Sequence, residues 1–453
     1  MDTAFATRWA GMSCVLPPLL FLLVVINGTP YVPLQDYNEW TYQGYIAAQI
    51  LLGHLDAPLA AHYAFASYPV PNSAVQAILT ALNCVVPATL ASRLVASAYS
   101  VFAIMLAWRM SLRIAPSRNV SVFFVLLVCV YFNTPFWNGY MNYQMGMLLF
   151  TVWLLLDPST RRKPQWVLLF TMLAFFTHAV IWAAILLMIG LDVLRRRRIA
   201  AALPALASIG LFAWYAAQRH TPVLPDPLAH AGTVKFVVYK LYTLAKLGPY
   251  HHFTYDDGVV SSFESAGYYV GCAVNAAFAV GIVVLLGASL RLAKGPRLTD
   301  ERITACVLFA LFMLLPAVIS DLVNPGERVL YPALLLMLCS SGAGAQHETR
   351  ERAAALVPRV MRWMAISGVV CVLCATGLLA NGARLLYDAS EETVAGTPPL
   401  RLFQTRPAAY ADVLAMLDDT LPLRALSFET SFLINNDDAF TGKPRALNNG
   451  SAD

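Results

Sequence analysis

The tetrad Arg195-Arg196-Arg197-Arg198 closes Trp166–Leu194, a stretch whose one formally charged side chain is Asp192. The same alternation runs through the chain: a long apolar run, then a tight basic cluster, then another apolar run. A helix that is apolar all round must be covered by protein or by lipid. This chain has 58% hydrophobic and 13% charged residues, too few polar side chains to clothe a soluble globule of its length. Disorder and a small disulfide scaffold are excluded on the same ground. The fold class expected is an all-α integral membrane protein of about eleven spans, since about 20 apolar residues cross the hydrocarbon. No Lys/Arg-dense, aromatic-interleaved stretch is present, so no nucleic-acid partner is expected.

The eight cysteines all fall in apolar segments. Cys371 and Cys374 have CxxC spacing but lie inside Val369–Leu379, so they read as small apolar residues rather than a redox or metal pair.

Charge orients the spans. Met12–Ile26 reads as a retained first span with a cytoplasmic N-terminus. Ala91–Met110, Val120–Phe132 and Gln144–Leu156 follow, with Arg109, Arg113, Arg118 and Arg161-Arg162-Lys163 at their inner ends. Trp166–Leu194 is long for one span and short for two. A hairpin of half-helices with its apex near Thr177-His178 returns the arginine tetrad to the inside, and broken helices are tolerated where they line a cavity. Later spans are Ile199–Ala217, Tyr268–Leu292, Ile303–Ser320, Leu330–Gly344 and Trp363–Asn381. This places 19 of the 31 Lys and Arg inside. Outside the tail, only Arg93, Arg219, Lys235, Lys240, Lys246 and Arg328 face outward, as the positive-inside rule requires. Residues 1–383 form the polytopic domain, with outer loops at 27–90 and 218–266. Residues 384–453 form an extracytoplasmic tail with an amphipathic stretch at Ala408–Leu421 and a candidate strand at Ala425–Phe432. The location expected is the plasma (inner) membrane.

The first outer loop carries the clearest chemistry. In Gln35-Asp36-Tyr37-Asn38-Glu39-Trp40, two carboxylates share one face of the helix expected over Asn38–Leu52. Trp40, Tyr45, Ile46, Gln49 and Ile50 suggest that this helix lies on the membrane surface. Asp36 also suits an N-cap with Glu39 completing a capping box, a role compatible with catalysis. Tyr68-Pro69-Val70-Pro71-Asn72 follows, then Ala74–Val86, too short and interrupted for a clear span.

This order of parts resembles the polytopic glycosyltransferases called GT-C, which include protein O-mannosyltransferases and aminoarabinose transferases. The resemblance rests on Asp36, the Tyr42–Leu52 helix, Tyr68-Pro69-Val70-Pro71, Ala91-Ser92-Arg93-Leu94 and, later, Glu327-Arg328-Val329-Leu330-Tyr331-Pro332. It implies a sugar donor on a polyprenyl phosphate and a glycan, lipid or protein acceptor, met at the outer face of the bilayer. Asp36 is then the candidate general base, with Glu39 second. Arg328, His178 and Arg219 are candidates for the donor phosphate. Trp40, Trp137, Tyr140, Tyr331, His251 and His252 are candidates to line the substrate. The chain departs from the family where many relatives have adjacent acidic residues, and where several have Thr-x-Lys at the hairpin apex.

Other readings stay open at each position. Arg328 suits an ion pair with Glu327 or Asp321, His178 a hydrogen bond between helices, and the rings of Phe136–Tyr143 an interfacial belt. Thr233–Leu247 reads as a basic interfacial helix. His251-His252 with Asp256-Asp257 match no specific ligand spacing; no metal site is assigned, and a divalent cation remains open as a cofactor. The functional expectation is a GT-C-like glycosyltransferase. The alternatives are a transporter or flippase of lipid-linked glycans, or a degenerate subunit of the same fold. The outer-face clustering of charged candidates favours the enzyme over a transporter, whose ionisable pairs belong near the midplane.

Overall fold

A run from Ala88 to Ile114 contains neither proline nor glycine, follows directly on Pro87 and has Arg113 in its last turn. Each feature favours an uninterrupted helix, a cation being welcome at the C-terminal end of the dipole. In the computed structural model this run is α5, the longest helix among the described residues. The structure describes residues 3–29, 32–115, 119–197, 199–218, 232–245, 247–248, 273–284, 299–319, 322–323, 325–342, 358–370 and 372–373, and in the tail 413, 416–417, 422–423 and 432–435.

The described chain is predominantly helical. Before α5 come α1 (Thr3–Gly28), α2 (Gln35–Leu52), α3 (Ala57–Ala60), β1 (Tyr63–Phe65) and α4 (Ala74–Asn83). After it come α6 (Asn119–Leu126), α7 (Thr134–Trp137), α8 (Met141–Leu155), α9 (Pro158–Arg161), α10 (Pro164–Thr177), α11 (Ala179–Arg196) and α12 (Ala205–Gln218). The rest are α13 (Thr233–Ala245), α14 (Ala273–Val284), α15 (Asp300–Leu314), β2 (Val318–Ile319), β3 (Leu322–Val323), α16 (Pro325–Gly342), α17 (358–370) and β4 (Leu433–Asn435). Two short antiparallel pairs, β1–β4 and β2–β3, are the only strand pairings among the described residues. Among those residues α5 alone is long and apolar enough to cross a bilayer by itself, with a mean hydropathy of 1.7; several shorter apolar helices accompany it.

The main core gathers around α5, α6, α8, α10, α11 and α16. α6 runs into a π-turn, Leu127–Tyr131. A π-turn displaces carbonyls from the regular ladder, and these must find other donors. Here the Tyr99 hydroxyl donates to Tyr131 O at 2.7 Å and the Asn133 amide to Val130 O at 3.0 Å. Gln144 joins the network, its amide donating to Asn133 Oδ1 at 2.6 Å.

α10 and α11 form the helical hairpin expected over Trp166–Leu194. Arg162, just before α10, pairs with Asp192, near the end of α11, at 3.1 Å. That contact brings the two feet of the hairpin together and sets its apex at Thr177-His178. His178 is extended, φ −165° and ψ 130°, and ends one helix while opening the next. The exposed backbone groups are met from the first loop. Asn72 donates its N–H to Phe175 O at 3.4 Å, Ser73 donates to Phe176 O at 2.9 Å, and Asn72 Oδ1 accepts from Ala179 N at 2.9 Å. The hairpin break and the Pro69–Asn72 segment are thus one interlocked unit.

Two expectations are corrected by packing, at α2 and at Lys240. α2 starts at Gln35, three residues early, and does not lie on a surface. Gly44 faces α4 so closely that a β-carbon there would stand 2.6 Å from Leu79 Cβ. The opposite side of α2, at Tyr42 and Ile46, is covered by Tyr63 and by Val413, Met416 and Leu433 of the tail. In the tail a strand is formed at Leu433–Asn435, while the expected strand Ala425–Phe432 lies, up to residue 431, outside the described residues. Lys240 of α13 is not an interfacial cation. It is 1% exposed, and its ammonium donates to Phe312 O and Leu315 O, the carbonyls at the end of α15. The rings of Phe236 and Phe312 stand 5.0 and 4.9 Å from it, so the cation is solvated by dipoles and π-faces instead of water.

Candidate functional site

The site is assembled at the N-terminus of α2. α2 is preceded by Leu34, whose side chain offers no cap, so Asp36 sits inside the first turn and the expected capping box is absent. The N–H of Asp36 is met instead by Asn138 O at 3.0 Å. This contact needs a residue without a β-carbon in the α7–α8 turn. Gly139 supplies it, with φ 85°; a β-carbon there would stand 2.4 Å from Tyr37 N and 2.6 Å from Asp36 N. Alanine at 139 would push the turn off the helix.

The turn delivers Tyr140 beside Asp36, and α16 delivers Arg328 to the same ring. The Arg328 guanidinium carbon stands 4.6 Å from the Tyr140 centroid, a cation–π stack. The backbone of Arg328 is fixed by the Tyr143 hydroxyl, which donates to its carbonyl at 2.8 Å. Among the described residues no carboxylate forms an ion pair with Arg328, so the suggested pairing with Glu327 is not formed. Glu327 is 8% exposed, and its Oε1 has no hydrogen-bond partner among the described residues. Burial, then Asp36 and Glu327, push the Tyr140 phenol up to about 12, with Arg328 opposing them. Tyr140 is therefore a neutral hydrogen-bond donor at any ordinary pH.

His178 reaches the same cluster from the hairpin apex. Its ring meets Tyr143 edge-on at 4.9 Å, and Tyr331 lies 6.4 Å from Tyr143. His178 Nδ1 accepts from Val180 N at 3.2 Å, which puts the proton of the neutral ring on Nε2. The structure thus brings together Asp36, Tyr140, Arg328, His178 and Tyr331 from four separate stretches of chain.

Other candidates stand elsewhere. Glu39 is 4% exposed and accepts from Gln43 Nε2 at 3.1 Å, a packing role on the inner side of α2. Trp40 is half-buried against the main core. Trp137 is buried, donates its indole N–H to Phe132 O at 3.1 Å and packs on Phe136, so it supports the turn from behind. Arg219, His251 and His252, and Asp256-Asp257, lie outside the described residues. Among the described residues no three His, Cys, Asp or Glu side chains converge as metal ligands.

Tyr143, Glu327 and Asn72 take part without having been named as site candidates, Glu327 having been read only as an ion-pair partner of Arg328 and Tyr143 only as part of an interfacial belt. Tyr143 and Glu327 stand within segments of interest, and Asn72 directly follows Pro69-Val70-Pro71. What marks them is contact across long sequence separations, which no local pattern carries. No family model matches the chain, and comparison with curated proteins and with solved structures gives no match.

Proposed function

We propose that this chain is a polytopic membrane protein that transfers a sugar from a polyprenyl-phosphate donor to an acceptor hydroxyl at the outer face of the membrane. The observation that carries this reading is the meeting at one neutral phenol, Tyr140, of one carboxylate, Asp36, and one arginine, Arg328, that forms no ion pair among the described residues.

The chemistry divides between them. Asp36 takes the proton of the acceptor hydroxyl as its oxygen bonds to the anomeric carbon. The bond from that carbon to the phosphate oxygen breaks, and the lipid phosphate leaves with the electron pair. Its charge is held by the Arg328 guanidinium and by the hydroxyl of Tyr140. His178 Nε2–H is a further donor in the same cluster. Buried rings around these groups exclude water that would hydrolyse the donor.

The bilayer placement is supported by an inverted surface. Large apolar side chains face outward on α5 (Phe102, Met105), α10 (Leu168, Leu169), α12 (Leu206, Trp214) and α15 (Phe309, Leu314). Asn133, Asn142, Gln144, Thr151 and Thr171 are buried. An apolar exterior of this extent is matched by lipid. About eleven spans with a cytoplasmic N-terminus belong to the same proposal.

The test is donor turnover in membranes supplied with a polyprenyl-phosphate sugar. Asp36→Asn is expected to lower the rate about 10²–10⁴-fold, the usual worth of a positioned base. Unchanged turnover in Asp36→Asn at equal membrane levels would remove the assignment.

A further inference from the structure

A cavity of about 290 Å³ lies at the other end of α11, among the end of α9, the feet of the hairpin and the start of α15. Its lining includes Arg161, Arg162, Arg195 and Arg196 together with the apolar Val167 and Met188. Three carboxylates answer the four guanidiniums. Asp192 serves both Arg162, at 3.1 Å, and Arg196, at 2.7 Å; Asp300 pairs with Arg195, and Glu301 with Arg161. The lining therefore carries one positive charge in excess. The least satisfied cation is the most buried: the Arg161 side chain is 9% exposed, and its one ion-pair contact among the described residues is long, 3.4 Å. A guanidinium has five N–H donors, and one such contact leaves most of its capacity to the cavity. The N-terminal turn of α15, capped by Thr299, opens onto the same space and adds its dipole.

We infer that this cavity binds a phosphate monoanion, and that its source is the headgroup of an anionic phospholipid. Guanidinium forks match phosphate oxygens, and the apolar lining residues Val167 and Met188 suit the glycerol and upper acyl chain of the same molecule. The cavity is separate from the Asp36–Arg328 cluster by the whole of α11, about 27 Å at 1.5 Å per residue. The ligand bridges the feet of the hairpin to α15, so it holds from below the helix pair whose apex presents His178. The lipid source rests on the membrane placement proposed above; the phosphate chemistry does not.

The experiment uses the purified full-length protein. It is placed in nanodiscs of phosphatidylcholine alone or with phosphatidylglycerol added, and inorganic phosphate is titrated separately in detergent. Thermal midpoints and native mass spectrometry of retained lipid are the readouts. Phosphatidylglycerol is expected to raise the midpoint and to be retained about tenfold over phosphatidylcholine. Arg161→Gln removes the preference. Ala202→Glu, which leaves every arginine and its partner in place while adding a carboxylate to the lining, removes it too and carries the test if Arg161→Gln fails to fold. A midpoint shift with inorganic phosphate but not phosphatidylglycerol keeps the site and reassigns its source to a soluble phosphate ester. Equal midpoints in both discs with no response to phosphate overturn the inference, as does a lipid preference that Ala202→Glu leaves intact. Failure to enter nanodiscs at all would count against the membrane placement, and the phosphate titration still decides the cavity.

Discussion

Asn72 holds a left-handed backbone, φ 58°, at the point where the first loop meets the hairpin apex. Its side chain accepts from Ala179 N at the start of α11, and its N–H donates to Phe175 O near the end of α10. Asn72→Gly keeps the backbone freedom and loses the side-chain bond; Asn72→Ala loses both. Losing that bond costs about 1 kcal/mol and the left-handed alanine about 1–2 more. Denaturation in detergent should rank wild type above Asn72→Gly above Asn72→Ala, and equal stability of the two variants would show that the backbone conformation is not what matters. Tyr140 offers a second check. A raised phenol pKa means the unfolded chain loses this proton first, so the contribution to stability is whole below about pH 10 and is lost as pH rises towards 12. Tyr140→Phe should flatten that alkaline loss. Asp36 was legible as chemistry because a carboxylate is rare in such an apolar chain. Tyr143 was not, since its bond to the Arg328 carbonyl links residues far apart in sequence.

Helices were legible where side chains near in sequence decide them. The apolar run of α5 and the break at His178 both follow from composition and from the arginine tetrad that must return to the basic end. α2 was misread as a surface helix because its second covering layer comes from the tail. A pattern of Trp40, Tyr45, Ile46 and Ile50 cannot tell lipid from a distant strand of the same chain. β4 pairs with β1 through Tyr63–Asn435, Ala64–Ile434 and Phe65–Leu433, and Phe65 stacks on Phe432 at 6.1 Å. Leu433 is fully buried in that contact. Leu433→Ala should destabilise the first loop by about 2–4 kcal/mol, the usual worth of a buried leucine. Limited proteolysis between α2 and α4 reads this directly: cleavage should quicken in the variant, and an unchanged rate would show that the tail merely rests there.

At the scale of the whole molecule, the described helices separate two kinds of chemistry. Arg162, Arg195 and Arg302 tie helix ends together at one extreme through Asp192, Asp300 and Ser340 O. Asp36, Tyr140, Arg328 and His178 meet at the hairpin apex. The proposed orientation puts the arginine end in the cytoplasm and the apex at the outer face. Single cysteines at positions 36 and 195 should then react with impermeant reagents from opposite sides of the membrane; labelling from one side would break the shared outer site. The central claim, that Asp36 performs transfer chemistry, is tested most directly in a deletion host carrying wild type or Asp36→Asn at matched membrane levels. Surface and lipid-linked glycans are compared. The account predicts a surface glycan restored by the wild type and lost with Asp36→Asn, its lipid-linked donor accumulating; full restoration by Asp36→Asn would contradict it.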